Sequence, residues 1–105
     1  MIIESTNKQD YLIYDVRVGG VIEITDITVN TEKRKGIGTK LIECLININK
    51  DKEPYTLFAL CPIYNQDALK FFKAVGFESQ VVLVNFYRTE SGEFEDLVVL
   101  RKLVQ

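Results

Sequence analysis

From Val29 to Leu41 the spacing of apolar residues changes from every second position to every third or fourth, across a short basic stretch with two glycines, Lys33-Arg34-Lys35-Gly36-Ile37-Gly38-Thr39. A period of two marks a strand with one buried face, and a period near 3.6 marks an amphipathic helix. The chain must therefore leave a sheet, turn and begin a helix within a few residues. That hand-over constrains the fold more than any other feature, and it leaves the backbone N–H groups of the helix start without intrahelical partners.

The rest of the pattern is built around this corner. After a short β segment, Tyr11 to Val18 and Val21 to Val29 read as strands joined by Gly19-Gly20, which predicts a hairpin with a two-residue turn. Ile37, Leu41, Ile42, Leu45 and Ile48 predict a helix of about three turns, ended by the polar run Asn49 to Glu53 and by Pro54. Tyr55 to Leu60 reads as a strand, which Pro62 stops because it has no N–H to donate. Asn65 is placed to cap a second helix with Ala68, Phe71, Phe72 and Val75 on one face and Lys70 and Lys73 turned outward. Gly76 can end it, with Phe77 packing back. Val81 to Tyr87 and Leu97 to Leu103 predict a second hairpin through a turn containing Glu90, Ser91 and Gly92. This order implies an α/β fold of the α+β kind, a mixed and mostly antiparallel sheet with two principal helices. At 105 residues, without repeats or linkers, the chain is expected to form a single domain over residues 1–105.

Composition removes several classes of function. The formal net charge of -2, from 13 basic and 15 acidic residues, provides no general field for nucleic acid or an acidic membrane, so any anion site must be local. With no histidine and two cysteines, His-based triads and most metal sites are excluded, and metal-free chemistry is expected. Without a basic-apolar leader or a stretch of membrane length, a cytoplasmic location with both thiols reduced is expected. Cys61 and Cys44 read as a small buried filler and as a helix residue of the core or its margin, because no histidine is available to activate a thiol.

The glycines at 36 and 38 let a backbone approach phosphate oxygens without a Cβ in the way, and the helix N-terminus behind them favours negative charge. Lys33, Arg34 and Lys35 add cationic donors on a chain that is acidic overall. A nucleoside-triphosphate loop does not fit, because Gly38-Thr39-Lys40 has the wrong order, and a dinucleotide fingerprint lacks its third glycine. From these residues alone, a phosphate site and a plain basic loop both remain open.

Ile24-Thr25-Asp26-Ile27-Thr28-Val29 followed by Lys33-Arg34-Lys35-Gly36-Ile37-Gly38-Thr39-Lys40-Leu41 resembles the acetyl-CoA strand-turn-helix of the GNAT superfamily of N-acetyltransferases. Asn65-x-x-Ala68-x-x-Phe71-Phe72-x-x-x-Gly76-Phe77 is similar to that family's second block, and it follows in the right order. The resemblance implies acetyl-CoA as acyl donor, lying in an opening between Val21 to Val29 and Tyr55 to Leu60. By the same resemblance the backbone of Ile27, Thr28 and Val29 pairs with the pantetheine. Lys33 and the amides of Arg34, Lys35, Gly36, Ile37, Gly38 and Thr39 bind the pyrophosphate, and Asn65 and Phe72 stand near the donor. The chain departs from the family in three ways. Lys33 replaces a Gln or Arg, Phe72 replaces a tyrosine that protonates the departing thiolate, and the family's first two helices have no counterpart. Tyr64 or water is left to act as the acid.

Transfer to an amine needs a base for the amine proton. With a two-residue Gly19-Gly20 turn, Glu23 lies opposite Val16 on a face with Tyr14, Val18, Val21, Ile27 and Val29, surroundings that should raise its pKa. Asp26, expected on the opposite face with Ile22, Ile24 and Thr28, is the alternative base; a strand bulge would change these faces. The expected function is transfer of a short acyl group to a primary amine, on a small molecule or a peptide, by direct attack in a ternary complex. A non-catalytic CoA-binding or interaction module is the alternative, and a homodimer stays open.

Overall fold

The computed structural model describes residues 1–5, 8–30 and 36–105. The strands are β1 (Ile2–Glu4), β2 (Asp10–Arg17), β3 (Val21–Val29), β4 (Tyr55–Pro62), β5 (Glu78–Arg88) and β6 (Phe94–Val104). The helices are α1 (Ile37–Ile48) and α2 (Gln66–Ala74), with one short 3-10 turn at Lys50–Lys52. Six strands form one sheet in the order β1-β2-β3-β4-β6-β5, and the β1–β2, β2–β3 and β5–β6 pairings are antiparallel. The mixed fold and the element order agree with the periodicities of the sequence. None of the described helices is long and apolar enough to cross a membrane. The chain divides into two compact units, residues 1–57 with 103–105 and residues 58–102.

In the first unit α1 packs on β1, β2 and β3. Its Leu41, Ile42 and Leu45 are buried, as are Leu12 and Tyr14 of β2 and Ile22 and Ile24 of β3. Leu12, Ile22, Leu45 and Leu57 are almost wholly withdrawn from water, each stabilising the fold by about 1.5–3 kcal/mol relative to exposure. One expectation is corrected at the end of α1. Ile48 is half exposed, while Asn49, the first residue of the polar run that ends the helix, is buried and donates from Nδ2 to the Leu45 carbonyl at 2.9 Å. Satisfying that amide locally is what allows a polar side chain to enter the core.

The first hairpin also differs from expectation. Arg17 pairs with Val21, so the loop has three residues, Val18-Gly19-Gly20, and Val18 is 99% exposed instead of continuing the strand. Both glycines adopt positive φ, 87° and 70°, a region that side chains disfavour. The register shifts again between Ile13 and Tyr14, whose partners are Asp26 and Ile24, which leaves Thr25 as an extra residue in β3. Such a bulge reverses the faces beyond it.

In the second unit α2 packs on β5. Leu69 and Phe72 are its buried residues; Ala68, Phe71 and Val75 are half-buried, so the inward face is centred one position from where the sequence spacing placed it. Asn65 caps the helix by accepting from the Ala68 N–H at 3.2 Å. At the other end the Phe77 N–H donates to the Phe72 carbonyl at 2.9 Å and the Gly76 N–H to the Lys73 carbonyl at 3.1 Å. With Gly76 at φ 98° and the Phe72 and Phe77 rings 5.1 Å apart, this is a complete Schellman ending.

A Cβ on Gly76 would lie 2.6 Å from Lys102 Nζ, which donates to the Val75 carbonyl at 3.1 Å. Lys102 can swing away, but only by giving up that bond, and the left-handed backbone is strained for alanine. Gly76→Ala is therefore expected to cost about 1–2 kcal/mol, seen as a lower urea midpoint with an unchanged slope.

Candidate functional site

Gly36 is the N-cap of α1, in the left-handed region at φ 73°, and it provides no side-chain cap. Its carbonyl accepts the Lys40 N–H at 3.0 Å, which starts the helix ladder. The amides of Ile37, Gly38 and Thr39 precede that first intrahelical bond, and α1 has no acidic residue in its first turn. A helix start of this kind is suited to an anion, because the dipole and the spare donors act at the same place. Lys33, Arg34 and Lys35 lie outside the described residues.

Asp10, which sequence reasoning missed, sits at the other side of this corner. It is buried, 2% exposed, and its Oδ1 accepts the Asn30 N–H at 2.8 Å; Asn30 Nδ2 donates to the Gln9 carbonyl at 3.0 Å. The place where β3 ends is thereby pinned to the start of β2. The available signal was an acidic residue at the head of the Asp10-x-Leu12-x-Tyr14 alternation, at a position that is otherwise apolar. Ile27, Thr28 and Val29, at the end of β3, are half-buried.

Glu23 stands opposite Asp15, not Val16. Its carboxylate accepts from Arg17 Nη2 at 2.6 Å and Nε at 3.1 Å, and Arg17 also lies 3.7 Å from Asp15. The apolar surroundings expected for Glu23 are thus replaced by a charged cluster, because the three-residue loop moves the register by one. Beyond the Thr25 bulge, Asp26 pairs with Ile13, which puts it on the same face as Glu23 and not the opposite one. Thr28 Oγ1 donates to Asp26 Oδ1 at 3.1 Å on that face. α1 covers the other face, so the two candidate carboxylates share the side of β2 and β3 that α1 leaves open.

In the second unit Tyr64 is exposed in the turn before α2, next to the Asn65 cap. Phe72 is buried, with edge-on contacts to Phe71 and Phe77 at 5.4 and 5.1 Å. Cys61 is buried too, and burial pushes its thiol up, which fits a filler and not a nucleophile; Cys44 is exposed. Sequence reasoning also missed Tyr87, opposite Glu95. The Ile63 N–H donates to the Asp96 carbonyl at 3.0 Å, which ties the loop carrying Tyr64 to β6 beside Glu95. The Tyr87 hydroxyl is sealed from solvent, with the Tyr64 side chain as its neighbour.

The Tyr64 hydroxyl first, and burial second, push the Tyr87 phenol from 10.0 up to about 12. Between those values the unfolded chain releases this proton while the folded chain keeps it, so stability falls as pH rises through that window. Tyr87→Phe is expected to remove this part of the alkaline loss, measured as a flatter decline of the urea midpoint. In an ultraviolet titration of the five tyrosines, Tyr87 and Tyr55 should ionise late, Tyr55 chiefly through burial.

The sequence profile of the Acetyltransferase (GNAT) family matches residues 8–77, about two thirds of the chain. No curated protein sequence matches it. Among solved structures, the ribosomal-protein-S18-alanine N-acetyltransferase from Escherichia coli is similar with a TM-score of 0.78 at 23% identity, over 96% of this chain and 65% of that one. A GNAT family acetyltransferase from Elizabethkingia anophelis with acetyl-CoA bound is similar with a TM-score of 0.78 at 19% identity, over 96% of this chain and 72% of that one. The chain spans slightly less than two thirds of the first of these relatives. With the profile covering both the β3-to-α1 corner and the capped α2, the chain belongs to the GNAT acetyltransferase family.

Proposed function

We propose that residues 1–105 act as one acyl-CoA N-acyltransferase domain that takes a short acyl group from acetyl-CoA, or a related donor, and passes it directly to a primary amine. The observation that carries this reading is the start of α1, where a left-handed Gly36 and the amides of Ile37 to Thr39 form a ready anion site within a family of acetyltransferases. Lys33, Arg34 and Lys35 would add charge at the diphosphate, the backbone of Ile27 to Val29 would pair with the pantetheine, and Asn65 and Phe72 would adjoin the donor. A similar protein holds acetyl-CoA and another acetylates a protein alanine, which supports the donor and an amine acceptor on a peptide or small molecule. Two free cysteines suit a reducing cytoplasmic location.

In the proposed reaction the amine nitrogen attacks the thioester carbonyl carbon, an N–C bond forms and the C–S bond breaks. The amine proton passes to Glu23, or to Asp26 on the same face, directly or through water. The departing thiolate takes a proton from Tyr64 or from water, since Phe72 has none to give. No metal is needed, because the backbone donors polarise the carbonyl.

A thiol-release assay over a panel of amines and peptides tests this reading: acceptor-dependent release supports it, and release that never exceeds donor hydrolysis refutes it. The buried Phe72 favours a second reading, a CoA-binding module without turnover. Tight acetyl-CoA binding with no acyl transfer, unchanged in Phe72→Tyr, is the result expected of such a module.

A further inference from the structure

At the end of the strand order, β5 has β6 on one side and no strand on the other among the described residues. Soluble proteins usually blunt such an edge with lysine, proline or a covering loop. Here Ser79 to Tyr87 contains no charged residue, and Val81, Val82, Val84 (70%) and Phe86 (57%) are exposed along it, with Phe94 (59%) on the neighbouring β6. Val81 and Val82 are consecutive and so point to opposite faces of the sheet, which makes this edge apolar on both faces.

The charges of β5 lie only at its two ends, Glu78 and Arg88, and each is five residues from Leu83. The strand is therefore complementary to its own reverse. Two copies placed antiparallel, with the two-fold axis at Leu83, would set Glu78 of each against Arg88 of the other, and Val82 against Val84, with the uncharged run between.

We propose that the chain self-associates through β5, two copies packing their exposed edges antiparallel about Leu83. Bulges next to Gln80 and across Val84 to Phe86, with the Asn85 N–H turned inward to Asp96 Oδ1 at 2.9 Å, interrupt a regular ladder. Apolar burial and the two end pairs therefore hold the contact, more than a continuous row of backbone bonds. A stable interface buries about 800 Å² per partner, so a contact along one strand edge gives a reversible dimer that responds to concentration. The inference stands apart from the acyl-transfer reading.

Sedimentation velocity of the full chain over rising concentration is the test, with circular dichroism to check that each variant folds. Val84→Lys is expected to give a monomer. Glu78→Arg and Arg88→Glu, both at exposed positions, should each raise the dimer dissociation constant about tenfold by setting like charges across the axis, and the double exchange should restore it. If Val84→Lys does not fold, the charge exchanges carry the test. A monomer at every concentration overturns the proposal, as does a dimer indifferent to these changes, and a double exchange no tighter than the single ones overturns the axis at Leu83.

Discussion

Glu23→Gln is expected to lower kcat about 100-fold while acetyl-CoA affinity stays within about twofold, the pattern of a lost general base and an intact donor site. The amide keeps the size of the side chain and one acceptor for Arg17, so the fold should survive. Arg17 is about half exposed, and an ion pair so open to solvent contributes less than about 1 kcal/mol. The loss should shrink as pH rises, because an amine that has already lost its proton no longer needs a base. The shared face found for Glu23 and Asp26 gives the alternative a clear outcome: full activity in Glu23→Gln with loss in Asp26→Asn would move the role three residues along β3. Steady-state kinetics with a saturating acceptor separates these results, and loss in neither variant would remove both carboxylates from the chemistry.

Replacing Gly38 by leucine should abolish measurable acetyl-CoA binding, a loss of at least about 100-fold in titration calorimetry, without unfolding the protein. Leucine is the better helix former by about 1 kcal/mol, so α1 itself should not suffer. What the side chain should obstruct is the approach of a diphosphate to the first-turn amides, where glycine leaves the backbone bare. A pantetheine fragment without the diphosphate is the control and should bind the variant as it binds the parent. Retained acetyl-CoA affinity would place the diphosphate elsewhere.

Read residue by residue, the sequence was most informative where structure is set over a few neighbours. Asn65 as a cap, Gly76 with Phe77 as a helix ending, the turn at Glu90 to Gly92 and the step from β3 into α1 are all short-range features. It was least informative about the faces of β2 and β3. The loop took Val18 as a third residue and Thr25 bulged, and either change alone turns a side chain from one face to the other. The neighbours of Glu23 therefore became Asp15 and Arg17 in place of an apolar set. Asp10 and Tyr87 escaped notice for a related reason: their partners, Asn30 and Tyr64, are more than a dozen positions away.

What the sequence by itself determined is the order and kind of the elements and the family, because periodicity, caps and glycine turns are settled by chemistry within one or two turns of chain. What only the tertiary structure decided is which carboxylates share a face, which polar groups are buried and which strand edge is left apolar. Those depend on the register between strands, a competition among alternative pairings in which each single residue has almost no preference, and which only the burial of the whole sheet resolves.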